Sequence, residues 1–407
     1  MKQIFLLTIF FTSQIFCQND WSHLSSTSDF TVNVIEINSD GHIYAGTKSH
    51  GIIKSADGGL NWELKNNGLP ENEILSILIT QNYVLFAGTS GGGMFRSINN
   101  GESWEKIEAG LTNTVVTSLI ENEDGIIFAG TKGGGVFYST DNGSNWDEIN
   151  SGLINKDIID LAINSAGDLF VGTYSYGVFK LTKENNFWNE INIGMPNNKD
   201  ILSIIVNKND DVLAATAYDG IYIREANSLA WQQTALQFFP CRDMALTVTG
   251  KVLAATDAAV YISNNGGRSY ELFKDGLPNS KILSIASDGY ETFYAGAHAN
   301  GIYKNTSLTS VDKKIIPQNF QLLQNYPNPF NPGTTISFKI HNVEAQHAAL
   351  LQIYDIIGNK IKTILNEKLP AGIYDINFNA DNLPSGVYFY KLQTGAYTQS
   401  KKMILMK

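Results

Sequence analysis

One tripeptide, repeated at an almost constant interval, limits this chain more than any other feature. Ala45-Gly46-Thr47 returns as Ala87-Gly88-Thr89, Ala129-Gly130-Thr131 and Val171-Gly172-Thr173. Altered copies follow at Ala214-Ala215-Thr216, Ala254-Ala255-Thr256 and Ala295-Gly296-Ala297. The steps are 42, 42, 42, 43, 40 and 41 residues, so seven units fill residues 19–310. A fixed period of this length marks an architecture of stacked or radial units, each too small to bury a core alone.

Every unit carries the same punctuation. A first apolar run (Ile74–Ile79, Val115–Ile120, Ile158–Ile163) ends in a polar hairpin turn such as Asn164-Ser-Ala-Gly167. A second run enters the small tripeptide, a third follows a Gly pair (Gly135–Ser139), and an aromatic opens a fourth: Trp62, Trp104, Trp146, Trp188, Trp231, Tyr270. Four short strands per 42 residues is the sequence pattern of a β-propeller blade. The seventh unit stops after its third run, while Trp21-Ser-His-Leu24 stands alone at the other end. The expected fold is therefore all-β: a seven-bladed β-propeller of four-stranded blades, with the N-terminal strand closing the last blade. Such closure protects the sheet edges. It replaces disulfides, which a chain holding only Cys17 and Cys241 cannot supply once Cys17 is removed.

Between third and fourth runs lies Ser55-Ala-Asp57-Gly-Gly59-Leu-Asn-Trp62. It recurs around Asn99, Gly101 and Trp104, around Asp141, Gly143 and Trp146, and around Asn265, Gly267 and Tyr270. This resembles the Asp-box, or BNR repeat; units four and five lack it. The resemblance implies structural roles: an acidic or amide side chain accepting turn N–H groups, a glycine at positive φ and a packing aromatic. Asp-box propellers include sialidases, xyloglucan-cleaving enzymes and sortilin-like receptors. The even spacing here looks most like the photosystem II stability-factor group, or the ligand-sensing propellers of regulators.

Beyond Lys313 the period stops. Residues 311–323 read as a Pro-containing linker, and 324–407 as alternating strands (350–356, 360–365, 372–378, 386–392) of a C-terminal immunoglobulin-like β-sandwich. Tyr326-Pro327-Asn328-Pro329-Phe330, Ile353-Tyr-Asp-Ile-Ile-Gly358, the run around Gly386 and Tyr388, and Lys402-Met-Ile-Leu closely resemble the type A C-terminal sorting domain of the type IX secretion system. That resemblance implies the type IX secretion machinery as a partner. It also implies a Gram-negative host of the Bacteroidota, and release or surface attachment after cleavage near the linker. At the other end, Lys2 and an apolar run to Phe16 read as a signal peptide over residues 1–18, too short to span a membrane. Lipidation of Cys17 is the runner-up reading. No transmembrane segment is expected.

The charge distribution narrows the ligand. Residues 19–310 carry a formal −15 and residues 311–407 carry +4, so phosphate backbones are repelled from the body and nucleic acid is not expected. Only four arginines exist (Arg96, Arg224, Arg242, Arg268), too few well-placed ones for a sialidase-type carboxylate clamp. Glycine runs at 91–93 and 133–135 lack the Lys-Ser/Thr and helix of a phosphate loop. No His-x-x-x-His or nucleophilic triad is present, so neither a metal nor another cofactor is expected.

What remains is the face built by loops between second and third strands and between blades. Tyr174, Tyr176 and Tyr218 come from adjacent units and form a candidate aromatic wall beside Asp219, Asp200 and Arg242, suited to a sugar ring or a peptide. Arg242 and Asp243 are expected in a between-blade loop. His50 and His298 occupy equivalent loops of units that closure makes neighbours. The reading is a secreted or surface-held, non-enzymatic, monomeric binding module for a glycan, peptide or surface protein. The alternative is a polysaccharide hydrolase pairing Asp219 with Asp257 or Asp243.

Overall fold

The computed structural model describes residues 20–306 apart from 71, 72, 238, 239 and 290. It further describes residues 320–407 apart from 324, 326, 341–348, 357, 370, 371, 395 and 396. The signal-peptide segment, Cys17, most of the linker and Tyr326 lie outside the described residues. The chain divides into two compact units, 1–308 and 309–407.

The first unit consists of seven four-stranded antiparallel sheets, and among the described residues the chain has no α-helix. The first strands are Val32–Ile37, Ile74–Ile79, Val116–Glu121, Ile158–Ile163, Ile201–Val206, Cys241–Leu246 and Ile282–Ser287. Each touches the first strand of the next sheet, and that of sheet seven touches that of sheet one. This radial arrangement of repeated sheets is a β-propeller.

Residues 22 and 23 complete sheet seven, Ser22 opposite Lys304 and His23 opposite Tyr303. Trp21 anchors the closure: its backbone N–H donates to Asp275 O at 2.7 Å and its indole N–H to Phe273 O at 3.0 Å. Trp104, Trp188 and Trp231 make the same pair of bonds to the sheet preceding their own, so sheet seven is joined to sheet six as sheets two, four and five are joined to theirs.

The small tripeptide has a packing cause. A Cβ on Gly172 would lie 2.4 Å from Ile201 Cγ2, and one on Gly46 2.7 Å from Ile74 Cγ2, closer than real Cβ atoms come. Glycine thus lets the second strand of one sheet approach the first strand of the next. At Ala215 the residue at the start of the next sheet is Cys241, smaller than the Ile or Val found elsewhere, and both belong to one buried cluster. At Ala255 that residue remains Ile282.

The second unit packs a three-stranded sheet (Phe320–Leu322, Gly333–Ile340, Gly372–Asn379) against a four-stranded one. The latter holds Ala349–Tyr354, Lys360–Glu367, Gly386–Thr394 and Tyr397–Leu405. Their shared core includes Phe330, Ile336, Phe338, Leu351, Ile353, Tyr388, Tyr390 and Met403. Phe330 N–H donates to Ile404 O and Ile404 N–H to Asn328 Oδ1, which ties the Pro327–Phe330 segment to the last strand. Gly358 sits at φ +88° in the turn closed by Asp355, the Tyr388 hydroxyl donates to Pro384 O, and Lys402 belongs to the last strand.

Candidate functional site

Four turns between third and fourth strands share one hydrogen-bond plan. Ser55 Oγ donates to Asp57 Oδ1, Gly59 N–H donates to Ser55 Oγ, and Asn61 N–H donates to Asp57 Oδ1 at 2.9 Å. Asn61 Nδ2 completes the turn by donating to Asp57 Oδ2 at 2.7 Å. Asp141 and Asn145 repeat this plan. Where the central residue is an amide, its partner changes: Asn99 Nδ2 donates to Ser103 Oγ, and Asn265 Nδ2 to Ser269 Oγ. A carboxylate takes a donor four residues on, and an amide, which has N–H to give, takes a hydroxyl acceptor. The donors around Asp57 and Asp141 hold both carboxyls below the usual carboxylate range, Asp141 at about 2.

These turns also join neighbouring sheets. Lys54 Nζ donates to Asn100 O, Arg96 Nη1 to Asn142 O at 2.6 Å and Lys304 Nζ to Gly58 O at 3.0 Å, the last across the closure. The oxygens of Asp57 and Asp141 are thus occupied in bracing turns.

The opposite face is assembled from a repeated loop. The threonine ending the second strand donates Oγ1 to the carbonyl four residues on: Thr47 to Gly51, Thr89 to Gly93, Thr131 to Gly135, Thr173 to Gly177 and Thr216 to Gly220. Only the three residues between vary: Lys48-Ser-His50, Ser90-Gly-Gly92, Lys132-Gly-Gly134, Tyr174-Ser-Tyr176 and Ala217-Tyr-Asp219. One frame therefore presents different side chains around the ring.

Across sheets three to five these loops form a bonded strip. Gly133 and Gly135 N–H both donate to Lys156 O. Tyr174 N–H donates to Asp157 O, and Asn155 Nδ2 to Tyr174 O. Gly177 N–H donates to Lys199 O, Ser175 Oγ to Asp200 Oδ1 at 2.9 Å, and Ala217 N–H to Asp200 O. Asp200 is thus the joint between the loop of Tyr174 and Tyr176 and that of Tyr218. The three tyrosines are 55%, 47% and 60% exposed, with Ile154 and Ile193 also open to solvent. Asp219 is half-buried; its backbone N–H donates to Thr216 Oγ1.

Arg242 and Asp243 require a correction. They lie in the first strand of sheet six, not in a between-blade loop, because the register slips between Cys241 and Asp243 and leaves Arg242 as the bulged residue. Arg242 makes a two-pronged ion pair with Asp257, which Lys281 also reaches at 3.1 Å. Those two cations hold the Asp257 carboxyl below its ordinary range despite partial burial. Arg242 is therefore committed to a cluster on sheets six and seven. His50 packs against Phe30, with ring centroids 4.8 Å apart, and His298 donates its backbone N–H to Lys281 O. Cys241 is fully buried, and burial pushes its thiol upward.

Sequence reasoning missed two carboxyls on the innermost strands, Glu36 and Asp160, and set a third, Asp243, in a loop. Ser118 Oγ and Ile204 N–H donate to Asp160, while Met244 and Ile285 N–H donate to Asp243. Each carboxyl thus reaches neighbouring sheets. Glu36 stands two residues further along its strand, where the equivalent residues are Leu78, Ile120, Ala162, Ile205, Ala245 and Ala286. Burial, with Asp243 adding repulsion, raises Glu36 to about 8. Burial raises Asp243 to about 7 and raises Asp160 as well. A signal was available: aligned inner strands carry Ser76, Ser118, Ser203 and Ser284 where Asp160 and Asp243 stand. Among the described residues no group of three or more His, Cys, Asp or Glu could hold a metal, and no helix is long and apolar enough to cross a membrane.

Residues 324–406 match the secretion system C-terminal sorting domain. The chain carries a type IX export tag. Residues 18–166 match the DUF6242 beta propeller domain. Among curated proteins none matches. Solved structures share the fold at low identity. The extracellular domain of a hybrid two-component system from B. thetaiotaomicron is 13% identical with a TM-score of 0.59, covering 95% of this chain, which spans 59% of that neighbour. PorZ, a surface component of the type IX secretion system of Porphyromonas gingivalis, is 15% identical with a TM-score of 0.54, over 90% of this chain and 58% of its own. YCF48 bound to D1 peptide is 15% identical with a TM-score of 0.56, over 70% of this chain and 96% of its own. At these identities the likeness shows the fold. Propeller and sorting domain together describe a module sent to the cell surface or secreted.

Proposed function

We propose that this is a seven-bladed Asp-box propeller with a cleavable, immunoglobulin-like sorting domain, from a bacterium of the Bacteroidota. It binds a glycan, peptide or surface protein without catalysis, through the face carrying Tyr174, Tyr176 and Tyr218. The observation carrying this reading is the bonded strip through Lys156, Asp200 and Ala217, which fixes two adjacent loops and leaves three tyrosine rings exposed. Rigid loops presenting flat amphipathic rings lose little entropy on binding.

The carboxylates favour binding over hydrolysis. A glycosidase pair needs two carboxyls flanking one bond. Here Asp257 is held between Arg242 and Lys281, Asp243 is bonded to backbone N–H groups on the inner strand, and Asp200 bonds to Ser175. Ligand capture by the full chain, measured before and after Tyr174→Ala, Tyr176→Ala and Tyr218→Ala, tests the proposal. Weakened capture with an unchanged fold is expected; unaltered capture refutes the assigned face.

A further inference from the structure

We infer that the tyrosine face takes a neutral polysaccharide chain, lying across the glycine loop of sheet three and against the tyrosine loops of sheets four and five. The inference rests on the binding reading above and names its ligand class. Three observations carry it.

The first is relief. The loop at 132–134 carries no side chain beyond Lys132: a Cβ on Gly133 would make ordinary contacts with Asp157 and Asn113 at 3.7 and 3.8 Å, and Gly134 is closed in by Asn113 and Thr131. Next to it stand Tyr174 and Tyr176, joined through the 155–157 segment, whose Lys156 carbonyl accepts from Gly133 and Gly135 and whose Asp157 carbonyl accepts from Tyr174 N–H; through Asp200 stands Tyr218. A low floor beside a raised aromatic wall suits a chain of pyranose rings, whose C–H faces stack on tyrosine. Among the described residues the three tyrosine rings and hydroxyls have no partner of their own.

The second is charge. The strip holds Lys132, Lys156 and Lys199 against Asp157, Asp200 and Asp219, with Glu148 beside Lys156, so it is close to neutral within a body of formal charge −15. An acidic polymer would be repelled by that body, and a basic one, though drawn to the body, finds no anionic track on a strip where lysines alternate with the carboxylates. Lys132 and Lys199 make no ion pair among the described residues and Lys156 only a distant one, 4.0 Å from Glu148. The strip thus offers lysine donors and, on the loop of sheet five, the Asp219 carboxylate, which together match sugar hydroxyls, groups that both donate and accept.

The third is the backbone. The Tyr174, Gly177 and Ala217 N–H groups, and the Tyr174 and Tyr176 carbonyls, are already bonded within the strip. No strand edge is offered there to an extended peptide, the usual mode of main-chain peptide capture.

Affinity electrophoresis of the full chain through gels containing β-glucan, xylan, alginate or chitosan, at low and high salt, with a peptide array in parallel, tests the inference. Retardation by β-glucan or xylan that salt does not change is expected. It should weaken at least tenfold in Tyr174→Ala and Tyr218→Ala and persist in Tyr218→Phe. Retention by alginate or chitosan alone, lost at high salt, or capture by peptides alone, overturns the neutral-polysaccharide inference. If the tyrosine variants weaken that capture, the binding reading survives. Retention of no probe, or retention that all three tyrosine-to-alanine variants leave unchanged, overturns both.

Discussion

Replacing Glu36 by glutamine removes a carboxyl that the propeller holds in an unfavourable place, and the variant should be more stable above neutral pH. Glu36 occupies a row otherwise filled by leucine, isoleucine and alanine, and its carboxyl is raised from an ordinary 4.5 to about 8. The folded chain therefore keeps this proton up to about pH 8, whereas the unfolded chain releases it from about 4.5. Between those limits the folded state binds more protons, so stability falls as pH rises. At about 1.4 kcal/mol per pH unit the ceiling is about 5 kcal/mol. Water reaching the half-buried carboxyl and relaxation of its surroundings bring the expected gain for Glu36→Gln at pH 8 to about 2 kcal/mol. All six tryptophans lie between residues 21 and 231, so their fluorescence in urea titrations of the full chain reports the propeller alone. The difference between variant and wild type should be near zero at pH 4, grow through pH 7 and level off above 8. A difference that stays flat from pH 4 to 9, or a wild type that gains on the variant as pH rises, refutes the reasoning.

Trp21→Ala removes the indole that joins sheet seven to sheet six and should cost about 3–5 kcal/mol in the same urea titration; a loss under about 1 kcal/mol would mean that closure does not depend on it. Gly172→Ala places a methyl 2.4 Å from Ile201 Cγ2 and should cost about 1–3 kcal/mol, partly recovered by Ile201→Cys, which removes one of the two Cγ branches as Cys241 does beside Ala215. Asp141→Asn leaves two amide groups facing each other and should cost about 1 kcal/mol, restored by adding Asn145→Ser, the pairing used at Asn99 and Asn265; additive losses in the double variant would contradict the complementarity. Because the Asp57 and Asp141 carboxyls are depressed, their contribution is present above their ordinary values and is lost as pH falls toward 2. An acid-unfolding midpoint unchanged in Asp57→Asn/Asp141→Asn would contradict this.

The sequence made the architecture legible because each repeated residue answers a repeated geometric need. Glycine in the tripeptide permits close approach of adjacent sheets, Trp21 occupies the position that Trp104, Trp188 and Trp231 occupy elsewhere, and Ser55, Asp57 and Gly59 satisfy one turn. Glu36 and Asp160 were harder to see, since they become notable only once the strands are aligned in register, the step that also moves Asp243 from a loop to an inner strand. Arg242 was misplaced because Cys241 opens its strand where the other six first strands open on a β-branched Val or Ile, so the start of that strand was not recognised. The bonds through Lys156 and Asp200 join segments 17–25 residues apart; Asp200 is read beside the tyrosines, but nothing in the local sequence shows that Lys156 acts through its backbone carbonyl.

The central claim is that the tyrosine face binds without turning its ligand over. The most direct measurement is an array of glycans and peptides screened with the full chain, with reducing-sugar release assayed on every hit. The account predicts capture that depends on Tyr174, Tyr176 and Tyr218 and yields no product. Product release that disappears in Asp219→Asn, with the fold intact, would contradict it and make this propeller a hydrolase.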